Sequence, residues 1–548
     1  MPARKSWIAL PTGCIALLIL FFALSRLPVA AQVSVLTRHN DPGRTGQNLQ
    51  EKKLNTSTVR PAQFGKLFSR QVDGELYAQP LYVPNIVVGG QKRNVIYLAT
   101  AHNSVYCFDA DNPFCNAPLW QVNFGASVSA ATLRTLGLPV EVGIIGTPVI
   151  DPQSCALYVV HFNADNGVFK HCLHALDLKT GTEKFGGPVT LSGVVAGTNN
   201  YDDDGAGHVY FHSASHLQRC ALTLANGRIY IPFASYEDYD PFHGWIFACD
   251  ATTLQTVAVH NNTPDGGGGG IWMSGDGMSI DAAGNLYYVG GNGSFNGGRN
   301  IGESVVKLDA NLNVLDWFAP WDNDFLNSLD SDLSSSTGLL IPGTSLLVAG
   351  GKGGKLYAMD TTTGKMGHVN PSDDSQIFQS WQASGGHIHA AMTYWNSPLI
   401  GPTLYVWGEF DYLKAFQFTG NNFNTTPVSQ SRMKVTDGYA NGPGLSLSAN
   451  GSQMFSGILW ANLPYDGDAT HQHVSGILRA FDASNVSREL WNSKMTPGDD
   501  FGMWAKWTPP TVVNGKVYLA TFSNQLVVYG LRYTPSPAVL QNLFYFFR

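Results

Sequence analysis

An all-β chain, an eight-bladed β-propeller of four-stranded antiparallel blades whose ring is closed by an N-terminal strand, is the fold this sequence predicts. Three observations predict it. The closing stretch Trp507 to Gly530 reads as three short strands: Thr511-Val512-Val513, an Asn514-Gly515 turn, the alternating run Lys516 to Thr521, a Ser523-Asn524 turn, and Leu526 to Tyr529. The same module recurs with its middle strand at Tyr97, Tyr158, Tyr230, Tyr287, Leu347, Tyr405, Trp460 and Tyr518, eight anchors spaced 55 to 72 residues apart. Third strands end on a shared pattern, as in Cys107-Phe108-Asp109, Ala175-Leu176-Asp177, Ala248-Cys249-Asp250, Lys307-Leu308-Asp309, Ala358-Met359-Asp360 and Ala480-Phe481-Asp482. A fourth strand often follows, closing at Trp120, Phe185, Trp317 or Trp491. A unit this small cannot bury its faces alone, and radial stacking of such sheets leaves only short, protected edges.

Taken in order, residues 1–31 read as a signal peptide: Arg4 and Lys5, an apolar run from Ile15 to Leu24 too short for an ordinary membrane span, and small residues Val29-Ala30-Ala31 at the cleavage point. This predicts export, periplasmic or secreted, with no integral membrane span after cleavage. Cys14 precedes the apolar run, the wrong place for a lipid-anchor cysteine. Residues 32–75 form an N-terminal segment, and Phe64 to Arg70 is the strand expected to supply the outer strand that the last repeat lacks. The propeller proper occupies 76–530, one large repeat domain, and 531–548 is an apolar tail expected to pack against the propeller edge, with contact to a partner or a membrane as the alternative.

Charge excludes some partners. Loss of Arg4, Lys5 and Arg26 would take the net charge from -7 to -10, which gives no support for nucleic acid or an anionic membrane surface. Six cysteines would remain after cleavage, free to pair in an exported protein or to stay as buried thiols. No Cys-x-x-Cys-His is present, so a c-type haem is not signalled. Asp265 and five glycines, Gly266 to Gly270, run into Ile271-Trp272, which predicts a mobile loop leading into close-packed backbone near the central channel.

Ala175-Leu176-Asp177-Leu178-Lys179-Thr180-Gly181-Thr182-Glu183-Lys184-Phe185 resembles the docking motif of quinoprotein alcohol dehydrogenases, with Phe in place of its closing Trp, and Ala358 to Gly364 begins a second copy. Arg44 to Asn48, Tyr77 to Val83, Gly386 to His389 and Trp407 to Phe416 are similar to stretches of exported PQQ-like propeller proteins of bacteria. The resemblance implies a quinone, PQQ, in the central channel on a Trp floor beneath a ring of adjacent cysteines, with calcium polarising it and an Asp taking the substrate proton. The chain departs from this in having no adjacent cysteine pair. Under that reading Trp272 or Trp395 would be the floor, and Asp330 and Asp332 the channel carboxylates, the Asp-x-Asp pair facing one way if it lies on a strand.

Two further constellations bear on chemistry. His387-Ile388-His389 precedes a candidate inner strand, and its period of two would put both imidazoles on one side, as a chelate requires; Glu409 or Asp411 would complete a metal site. His471-Gln472-His473 lies in an insertion beside Asp466 and Asp468. His243 is a candidate acid or base. Asp202-Asp203-Asp204 and Asp322-Asn323-Asp324 read as turns, and Gly350 to Lys355 as a hairpin turn. There is no Gly-x-Ser-x-Gly and no His-Glu-x-x-His. The functions left standing are a quinoprotein-like oxidoreductase acting on small alcohols or sugars, a non-catalytic propeller binding a protein or glycan, and a metal-dependent enzyme of another class.

Overall fold

A computed structural model describes residues 32–135, 140–199, 202–435 and 442–532. The expected signal peptide and all but the first two residues of the tail lie outside these residues. Eight antiparallel sheets surround an axis. Blade 1 comprises Leu81–Val88, Gln91–Ala99, Ser104–Asp109 and Trp120–Asn123. Blades 2 to 7 begin on the first strands Val149–Asp151, Thr223–Ala225, Ser279–Ile280, Leu339–Leu340, Thr393–Ser397 and Gly444–Ser448. Blade 8 comprises Thr511–Val513, Lys516–Ala520, Gln525–Leu531 and, as its outer strand, Phe64–Gln71, which pairs antiparallel with Gln525–Leu531. The ring is therefore closed by the N-terminal strand, as the sequence predicts.

All eight anchor residues fall on second strands; six are tyrosines, and for five of the six the structure shows why. The hydroxyls of Tyr97, Tyr158, Tyr230, Tyr405 and Tyr518 donate to the carbonyls of Leu178, Ala251, Ala310, Ala483 and Ala110, each in the next blade around the ring. The acceptor is in every case the residue after the repeated Asp. That Asp turns the chain: Asp177 Oδ1 accepts from the amides of Lys179 and Thr180, and Asp250 Oδ1 from Thr252 and Thr253. The core lies between blade faces; Trp460 and Trp491 of blade 7, for example, pack with Val512 and Tyr529 of blade 8.

The polar segment that precedes the outer strand fills the axis. Between Leu36 and Asn48 the chain reaches all eight blades. Backbone carbonyls of Leu36, Pro42, Gly43, Thr45 and Gly46 accept from the amides of Ile150, Ile280, Leu340, Tyr394 and Leu447, on the first strands of blades 2, 4, 5, 6 and 7. Arg44 Nη2 donates to Thr223 Oγ1 of blade 3, the His39 amide to Gln79 Oε1 at the entry to blade 1, and Asn48 Nδ2 to the Val512 carbonyl of blade 8. His39, Asn40 and Arg44 adopt positive φ to make the turns, a strain that persists because partners on every side specify the conformation.

One expectation changes in detail, and one left open is decided. The glycine run 266–270 is packed rather than open: Gly268 bridges Gly293, and a Cβ on Gly293 would lie 2.1 Å from the Gly269 amide nitrogen. All six cysteines expected after cleavage are free; Cys107, Cys172, Cys220 and Cys249 are buried. Among the described residues no helix is long and apolar enough to cross a membrane.

Candidate functional site

In an antiparallel blade, the segment entering the first strand and the loop joining the second and third emerge at the same end. At that end of the axis lies a cavity of about 420 Å³, and its walls come from these two kinds of segment. Blade 3 contributes Arg219, Glu237 and Asp238; blade 4 contributes Trp272 and Ser274; blade 5 contributes Asp330, Asp332 and Lys352. Blade 6 contributes His387, His389 and Glu409, blade 7 Thr470, and blade 8 Lys506 and Trp507. The floor rests on the axial segment, because Arg38 Nη2 donates to the carbonyls of Ser274 (3.1 Å) and Trp507 (2.5 Å).

The blade 6 wall holds the one metal-like group of three donors among the described residues. His387, His389 and Glu409 each offer a ligand atom, all within 4.8 Å of one another. His389 Nδ1 lies 2.6 Å from Glu409 Oε1, and His387 Nδ1 3.5 Å from Oε2. The intervening Ile388 is buried, which turns both imidazoles the same way. Burial, with the neighbouring His389 ring, lowers the pKa of His387 and favours the neutral form that binds metals. Asp411 lies apart from this group. Its carboxylate accepts from the Gly385 and Tyr412 amides and from Lys414 Nζ at 2.6 Å, which fixes the loop that carries Glu409.

Asp330 and Asp332 reach the cavity but not as a free pair. Lys352, from the Gly350 to Lys355 hairpin, places Nζ 2.9 Å from Asp330 Oδ1 and 2.6 Å from Asp332 Oδ2. The two residues do not lie on a strand; a short helix, Asn323–Ser328, leads into them. Asp238 faces the same group, and burial, then the Asp332 charge, raises its pKa to about 6. Behind them, burial and Asp332 push Glu303 well above the usual carboxylate range.

The other candidates lie elsewhere. His243 is fully buried, its ring held between Thr263 Oγ1 (3.0 Å) and Asp202 Oδ1 (3.2 Å). Trp395 is buried between blades 6 and 7, where its ring lies against Gly457. His471 and His473 diverge, to Asp468 and to Glu75. Arg219, Lys352, Lys506 and Trp507 are the residues that sequence reasoning missed. Each belongs to a blade repeat or hairpin, and no local motif marks it; the signal would have been cations at the two segment types that converge on one end.

No protein-family model matches the chain, and no curated protein does. Among solved structures, a quinohemoprotein alcohol dehydrogenase from Comamonas testosteroni superposes with a TM-score of 0.58 at 14% identity, covering 92% of this chain and 81% of that one. The quinohemoprotein alcohol dehydrogenase ADHIIG from Pseudomonas putida HK5 gives 0.57 at 12%, covering 92% and 82%. The chain has the propeller fold of these dehydrogenases. The residues present do not fit the stacked quinone and calcium that the resemblance implies. The Arg219 guanidinium already lies 3.6 Å from the centre of the Trp507 ring, Trp395 is away from the cavity, and the Lys352 ammonium stands between the two carboxylates where a calcium would sit. Trp272 remains on the wall, with Arg219 5.5 Å from its ring.

Proposed function

We propose that this exported propeller binds a divalent transition metal on His387, His389 and Glu409 and a small polar molecule beside it in the channel-mouth cavity. The observation that carries this reading is the convergence of two imidazoles and one carboxylate within 4.8 Å at a cavity wall. Two neutral nitrogens and a carboxylate oxygen suit zinc, and three protein donors leave a coordination position open to the cavity. A metal held in this way acts as a Lewis acid on a bound carbonyl or hydroxyl, or supplies hydroxide near neutral pH. The part of this chain is to set the donors: Ile388 packs inward so that both rings face out, and the Asp411–Lys414 pair holds the Glu409 loop.

Calorimetric titration of the protein lacking residues 1–31 with zinc should show one site, and His389→Ala should abolish it. Absence of heat with zinc, copper and calcium would remove the reading. A quinoprotein-like oxidation of small alcohols or sugars is the second reading; it is carried by the shared propeller fold alone, because the cavity residues do not fit a stacked quinone and calcium. Adding PQQ with calcium and recording the absorption spectrum separates the two, since a bound-quinone spectrum belongs only to the second.

A further inference from the structure

One cation in this cavity makes no hydrogen bond and no ion pair among the described residues. Arg219 enters from the segment before blade 3 and lies flat on Trp507, its guanidinium carbon 3.6 Å from the ring centre. Stacking satisfies the face of a guanidinium and leaves its edge, with five N–H donors, free to act. Among the described residues that edge makes no hydrogen bond and no ion pair. Glu237 acts on it through charge alone. Burial lowers the pKa of Arg219 only to about 10, so the group stays charged at neutral pH.

A half-buried guanidinium without a polar partner carries part of its desolvation cost, and that cost is offset when a carboxylate or phosphate accepts from its fork. A second cation stands beside it. Lys506 Nζ donates to the Thr470 carbonyl at 2.6 Å and lies 5.8 Å from the centre of the same Trp507 ring. One indole thus carries two positive groups on the cavity wall, on residues of blades 3 and 8, while the His387, His389 and Glu409 donors come from blade 6. The remaining cation of the cavity, Lys352, is taken by Asp330 and Asp332.

We propose that Arg219 and Lys506, seated on Trp507, bind the oxyanion group, a carboxylate or a phosphate, of the small molecule that occupies this cavity. The inference rests on the cavity being a small-molecule site, and it names the class of that molecule: a small acid rather than a neutral alcohol or sugar. Trp507 fixes the guanidinium plane in advance, so little side-chain freedom is lost on binding.

The test is calorimetry on the protein lacking residues 1–31, without added metal, using sodium gluconate, inorganic phosphate and neutral glucose as probes. Gluconate or phosphate should bind and glucose should not; which of the two binds tells a carboxylate from a phosphate. Arg219→Met, which keeps an apolar stem on the indole, should weaken the anion at least tenfold at an unchanged melting temperature, and Arg219→Lys should recover part of the loss. Equal binding of glucose, no binding of either anion at 10 mM, or parent-like affinity in Arg219→Met would overturn the proposal. Zinc binding without anion binding would sink this inference and spare the metal reading; anion binding without zinc binding would do the reverse.

Discussion

His39 Nδ1 lies 3.0 Å from Asp276 Oδ2, and both side chains are fully buried where the axial segment meets blade 4. Arg38 and Arg44 complete the surroundings of this carboxylate. Burial alone would raise the pKa of Asp276, but His39, Arg44 and Arg38 bring it down to about 2. The axial segment is thus held by charge at its centre as well as by backbone hydrogen bonds to the blades.

Removing that charge should be severe. Asp276→Asn leaves the two arginines buried without their carboxylate, a loss of about 3–5 kcal/mol by the general behaviour of broken buried pairs. Chemical denaturation should show it as a lower midpoint at an unchanged slope. In the parent protein the contribution of Asp276 is complete above the ordinary aspartate value of about 3.9 and is lost as pH falls through about 2. Melting curves between these two pH values should therefore drop more in the parent than in Asp276→Asn.

Ring closure should depend on Tyr518. Its hydroxyl donates to the Ala110 carbonyl and ties blade 8 to blade 1. Tyr518→Phe keeps the ring and removes the hydrogen bond, which should cost about 1–3 kcal/mol with the carbonyl left buried and unpaired. A melting temperature equal to the parent would show that strand pairing alone closes the propeller.

A methyl group at position 457 has nowhere to go. A Cβ on Gly457 would lie 2.4 Å from ring atoms of Trp395. Gly457→Ala should destabilise by about 1–3 kcal/mol, the usual range for overpacking. Adding Trp395→Phe should recover part of that, because the shorter ring yields the space.

Lys352 makes calcium binding at Asp330 and Asp332 redundant. Its ammonium already sits within 2.9 Å of both carboxylates. Lys352→Met should create a calcium-dependent rise in melting temperature that the parent lacks. No response to calcium in the variant would mean that the two carboxylates are held too rigidly to serve a metal.

Anion binding should weaken in alkali. Burial first, then the Arg219 charge, lowers the pKa of Lys506 to about 8. Below that pH the side chain is a cation and supports an oxyanion; as pH rises through about 8 the charge is lost and the affinity should fall, leaving the part due to Arg219. In Lys506→Met the step near pH 8 should vanish.

Much of this protein was legible in its residues. The period of tyrosine anchors and the Asp-closed third strands determine the blades, because each repeat is a local unit whose turn chemistry and alternation do not depend on distant partners. The outer strand Phe64–Gln71 could also be read, since the last repeat was one strand short. Period two correctly placed His387 and His389 on one side of Ile388. The axial segment was visible only as a polar stretch. Its carbonyls find partners on five first strands scattered from Ile150 to Leu447, and nothing local announces that. The site was less legible still. Arg219 and Trp507 are 288 positions apart in the chain and meet only because the ring brings the entries of blades 3 and 8 to one end of one axis. Lys352 looked like part of a hairpin turn until closure set it between two carboxylates, and Trp395 looked like a channel floor until blade packing buried it against Gly457. Sequence determines strands, turns and their repetition through short-range sterics and patterning; which charges face one another across the axis is decided by ring closure, which only the assembled tertiary structure contains.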